Sequence, residues 1–78
     1  MSRIKTNDWI KSGTSNAGDE TRYTLRSGWF MSYTKSTGVV TVRAPDGSFE
    51  ILDPEEAVTS ATVAKRLAAS HANRVLDQ

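Results

Sequence analysis

Arg22, Arg26 and Phe30 recur at every fourth position of one segment, and this spacing defines the chemistry most open to the chain. Successive side chains of an extended strand point to opposite faces, so on one strand these three share a face. Two guanidiniums and a ring suit two kinds of partner. Aromatic rings stack on unpaired bases at about 1–3 kcal/mol each while arginines neutralise phosphates. Aromatic and arginine side chains also dominate protein interfaces, where they combine large contact area with a polar handle. Arg43 or Lys35, from a neighbouring strand, is expected at the rim. The two or three closely placed aromatics of recurring RNA-binding sheets are absent. A larger protein or complex is therefore the favoured partner, and nucleic acid the alternative. Two blander arrangements stand beside these: arginines lying flat in solvent, or Phe30 packed under the N-terminal segment near Trp9.

Other residues capable of chemistry lack the company that chemistry needs. His71 is the only histidine and cysteine is absent, so neither a histidine cluster nor a thiolate metal site can form. Catalysis by a lone histidine requires a group to orient it, and spacing supplies none. His71 is expected to be a half-buried packing residue. Asp53, Glu55 and Glu56 resemble a metal or acid–base cluster. Their place at the start of a helix explains them, since carboxylates there meet free amides and the positive end of the helix dipole. The Gly13–Gly18 loop lacks the lysine-and-hydroxyl pattern of a nucleotide cradle. No catalytic residue, cofactor or metal is expected.

These side chains need elements to position them. Tyr23, Leu25, Trp29, Met31 and Tyr33 all fall on odd numbers, and polar residues fill most even ones. That alternation predicts one long strand over 22–34, bent at Gly28, with an apolar face opposite Phe30. Val39 to Arg43 is β-branched and predicts the next strand. Ala44-Pro45-Asp46-Gly47 predicts a type I turn with Gly47 in a bulge, and 48–52 returns as a strand. Two criteria disagree on that hairpin's register. Turn chemistry sets Val42 against Glu50 and Thr41 against Ile51, whereas a cleaner apolar face would place Val40 and Val42 with Phe49 and Ile51. Asp53-Pro54-Glu55-Glu56 reads as a capped helix start, predicting a helix over 54–76 with an alanine stripe of Ala57, Ala61, Ala64, Ala68, Ala72 and Val75. The stripe suits packing on the sheet or against a second copy. Residues 13–21 read as a flexible surface loop, and 6–12 as a short helix capped by Thr6 or a short strand.

The expectation is one α+β domain over 1–78: a short N-terminal element, a mostly antiparallel sheet of three to four strands, and a long C-terminal helix on one face. The 78 residues carry a formal charge of +1, which neither requires nor forbids a nucleic-acid partner. The charge is polarised: residues 1–43 are net +4 and residues 44–78 net −3. Such polarity can orient a small protein on a charged partner. No apolar run approaches a membrane span or follows Arg3 and Lys5 as a leader would, so a cytoplasmic monomer or homodimer is expected. A small chain without a catalytic set is expected to act as an inhibitor, adaptor or regulator of something larger, the kind of protein that phages and mobile elements encode.

Overall fold

Two hairpin loops of one design organise the sheet. In the first, the Leu25 N–H donates to the Trp29 carbonyl (2.9 Å) and the Gly28 N–H to the Leu25 carbonyl (3.0 Å). In the second, Ala44 donates to Ser48 (2.8 Å) and Gly47 to Ala44 (3.0 Å). Both glycines adopt positive φ, 103° at Gly28 and 92° at Gly47, where a side chain would be strained. Each loop is a three-residue turn closed by a glycine bulge. Asp46 stiffens the second: its carboxylate accepts from the hydroxyl and the backbone N–H of Ser48, which holds it below the ordinary Asp range.

The computed structural model describes residues 3–15, 18–52 and 58–77. A 3-10 turn at Thr6–Asp8 precedes strands β1 (Ile10–Thr14), β2 (Glu20–Thr24), β3 (Phe30–Thr34), β4 (Val39–Arg43) and β5 (Phe49–Leu52), and helix α1 (Ala61–Leu76) follows. The strands form one antiparallel sheet in the order β1-β2-β3-β4-β5, a meander without crossovers. The fold is α+β, as expected, but with five strands rather than three or four.

Three further expectations are corrected. The single bent strand over 22–34 is the β2–β3 hairpin, with Tyr23 opposite Met31 and Thr24 opposite Phe30. The flexible loop of 13–21 is sheet at both ends, because Gly13 and Thr14 end β1 and Glu20 and Thr21 begin β2. Only a short link remains there, closed where the Ser15 N–H donates to the Glu20 carbonyl (2.8 Å). The helix starts later. Ser60, in extended conformation, caps it by accepting from the Val63 N–H, while Val58 and Thr59 are non-helical. The anticipated cap at Asp53, with Pro54, Glu55 and Glu56, lies outside the described residues. Both readings of 6–12 hold in part: a 3-10 turn at Thr6–Asp8, then the start of β1.

One sheet face is covered. Tyr23, Met31, Tyr33, Val40 and Val42 are buried beneath Ala64, Ala68 and Ala72, with Trp9, Trp29 and Val58 closing the margins. Alanine brings the helix axis near the strands, so large sheet side chains fill the interface. The alanine stripe therefore packs on its own sheet. The N-terminal segment is fastened to α1 by polar bonds: Trp9 Nε1 donates to the Lys65 carbonyl (3.1 Å), and Asn73 both accepts from the Ile4 N–H and donates to its carbonyl (2.9 Å each).

Candidate binding surface

Among the described residues no helix lies on the other sheet face, and its composition follows from the strand registers. One row across the sheet reads Ile10, Thr24, Phe30, Arg43, Phe49. The next reads Gly13, Arg22, Ser32, Thr41, Ile51. The β4–β5 hairpin has the register that turn chemistry dictates, with Val42 opposite Glu50 and Thr41 opposite Ile51. As a result Phe49 and Ile51 project onto the open face. They are 62% and 58% exposed, and Ile10 at the far edge is 52% exposed. Isolated apolar residues on a surface need no explanation, but several gathered on one uncovered sheet face do.

Small polar side chains form the middle of this face. Ser32 is buried there although no helix covers it, and its hydroxyl hydrogen-bonds that of Thr41. Phe30 is half-buried beside them, with the Arg43 guanidinium over its ring at 4.9 Å from the centroid. That stacking removes part of the Phe30 surface while leaving Arg43 exposed. Phe30 is thus neither free in solvent nor packed under the N-terminal segment.

The five anticipated contact residues do not gather on this surface. Arg22, Phe30 and Arg43 do. Arg22 lies across Gly13 and pairs with Glu20 at 3.3 Å, so its charge is already partly answered. Arg26 sits at the tip of the β2–β3 loop, off the line through Arg22 and Phe30, because the chain reverses there. It borders a groove of about 780 Å³ shared with Ile4, Ile10, Trp29 and Leu76. Lys35 lies in the β3–β4 turn and flanks a cavity with Tyr33 and Ser60 on the helix side. In their place stand Phe49 and Ile51, whose signal in the sequence was the Asp46-Gly47 turn that sets their register.

Elsewhere the side chains capable of chemistry are occupied or dispersed. His71 is half-buried, with Nε2 3.1 Å from Glu50 Oε2. Among the described residues there is no group of three His, Asp or Glu side chains placed to hold a metal, and no helix long and apolar enough to cross a membrane. A second basic cluster, unnoticed in the sequence, lines a shallow groove: Arg3, Lys5, Arg66 and Arg74, where the N-terminal segment meets α1. Arg3 is paired with Asp77 at 2.9 Å. In comparisons with known protein families, curated proteins and solved structures, this chain matches none.

Proposed function

We propose that this chain is a non-enzymatic protein-binding module, an inhibitor or adaptor that engages a larger protein through the open face of its sheet. The observation that carries this reading is the exposure of Phe49, in the row of Phe30 and Arg43, and of Ile51 in the next row, on a face that no element among the described residues covers. A two-layer fold normally solvates its second face with polar side chains, so apolar groups retained there mark a contact site. The mixture of apolar anchors with an exposed arginine matches the composition of interface centres.

Nucleic acid is the less favoured partner for the same surface. Of its two arginines, Arg22 is paired with Glu20, and the exposed aliphatic residues Ile10 and Ile51 offer phosphates nothing. Affinity capture from lysate with the Phe30→Ser/Phe49→Ser variant separates the cases. Capture by the wild-type chain should resist nuclease and vary little with salt, and the variant should lose it. Wild-type-like capture by the variant would overturn the surface assignment. A log–log salt slope of about −0.7 per phosphate neutralised would transfer the surface to single-stranded nucleic acid.

A further inference from the structure

The two edges of the sheet are not equivalent. Edge strands expose unpaired main-chain groups, and proteins guard them with bulges, charges or covers. β1 is guarded: its register shifts between Lys11 and Gly13, leaving Ser12 as an extra residue in a bulge. β5 pairs regularly with β4 over its whole length, carries no bulge, and has no strand beyond it among the described residues. Helix α1 packs on β3 and β4 and meets β5 through His71, which reaches Glu50 on the helix side of the sheet.

Hydrogen-bond alternation tells which groups the β5 edge offers. Ala44 and Ser48 form a hydrogen-bonded pair. In an antiparallel ladder such pairs alternate, so Val42/Glu50 and Val40/Leu52 are hydrogen-bonded while Arg43/Phe49 and Thr41/Ile51 are not. The main-chain N–H and C=O of Phe49 and Ile51 therefore point outward, away from β4. The side chains of these same two residues form the exposed apolar part of the open face. One edge thus presents two donors and two acceptors flanked by two apolar anchors. Between them Glu50 projects to the helix side, its side chain 62% exposed even as it meets His71.

We infer that the partner adds an extended segment to β5 as a sixth strand, with apolar residues beside Phe49 and Ile51 and a lysine or arginine opposite Glu50. This inference rests on the protein-binding reading above. Strand addition draws affinity from main-chain bonds and specificity from alternate side chains. The residue opposite Glu50 occupies a non-hydrogen-bonded position of the new pair, where Cα atoms approach to about 4.5 Å and a charge has its strongest effect. The same geometry disfavours a second copy of this chain. Antiparallel self-pairing with Phe49 opposite Ile51 sets the two Glu50 carboxylates against each other at that close position.

Panning a displayed library of random octapeptides against the intact chain tests this. The expected binders alternate apolar residues around a central Lys or Arg. Proline at an edge strand is tolerated where the lost N–H faces outward. Ile51→Pro should therefore keep the fold and weaken those binders about tenfold beyond the effect of Ile51→Ala, the loss expected for one main-chain bond. Panning Glu50→Lys should instead enrich a central Asp or Glu. A selected peptide should also slow amide exchange at Phe49 and Ile51 of the wild-type chain, a readout that does not depend on the proline variant folding. Binders that leave both amides exchanging freely overturn the inference. If such binders are lost with Thr41→Glu, in the middle of the open face, face binding stands and strand addition falls; if neither variant matters, both fall. A wild-type dimer dissociated by Ile51→Pro would give the edge to a second copy and overturn the basic partner strand.

Discussion

The side-chain amide of Asn73 clasps the backbone of Ile4, accepting from its N–H and donating to its carbonyl at 2.9 Å in both directions. Asn73 lies on the helix flank where the alanine pattern predicts solvent. With both ends of its amide engaged, Asn73 fastens the N-terminal segment, which in turn seats buried Trp9 against α1.

Asn73→Ala should destabilise the fold by about 1–3 kcal/mol, since it strands two part-buried main-chain groups. Arg3→Ala removes the neighbouring pair with Asp77, whose partners are 74% and 55% exposed, and should cost under about 1 kcal/mol. Chemical denaturation of both variants, followed by Trp9 and Trp29 fluorescence, checks the ranking. Equal losses would place the fastening elsewhere.

Both hairpin glycines require positive φ, but their surroundings differ. A Cβ on Gly28 would lie 3.2 Å from Pro45 Cβ, whereas one on Gly47 meets nothing within 4 Å. Gly47→Ala should cost about 1–2 kcal/mol from backbone strain alone. Gly28→Ala should cost more, because contact with Pro45 is added to the same strain. Thermal melts of the two variants measure the difference, and a larger loss at Gly47 would contradict the close approach of the two loops.

Ser60→Ala should cost about 1 kcal/mol by freeing the Val63 N–H that the serine hydroxyl accepts at 3.2 Å. Ser60→Asp should restore most of it, since a carboxylate caps equally well and meets the helix dipole favourably. Circular dichroism melts report both. No loss in Ser60→Ala would mean that α1 is capped elsewhere.

How far the fold was legible depends on what each pattern measures. Alternation from Tyr23 to Tyr33 correctly marks the buried face, yet it is blind to the reversal at Arg26-Ser27-Gly28. Thr24 pairs with Phe30, six positions on, so odd residues face odd residues and the parity runs unbroken through the turn. The Ala44–Gly47 turn shares this architecture and was readable because Pro45, Asp46 and Gly47 are strong turn formers, while Arg-Ser-Gly is a weaker signal. β1 was legible only as one of two alternatives for 6–12, because Ser12 and Gly13 give it no alternation. At the helix start Asp53-Pro54-Glu55-Glu56 competes with Ser60 as a capping signal, and Ser60 caps α1.

The proposed binding surface was legible only in part, for a related reason. Phe30 stands out as the one large apolar residue off the parity of its segment. Phe49 and Ile51 do not, because hydrophobic patterning assumes that apolar residues face the core, and these two are exposed on the open face. Turn chemistry, indifferent to burial, gave the correct register. Arg26 and Lys35 were misplaced because both lie where the chain turns, and strand alternation says nothing about direction there.

The meander also sets an order of assembly. Each strand pairs with the one synthesised just before it, so the sheet can zip up from short-range contacts as the chain lengthens. Helix α1, which shields Met31, Val40 and Val42, comes after every strand. On the ribosome there is consequently an interval when both sides of the finished sheet are bare, and a chaperone would find its strongest hold on this protein then.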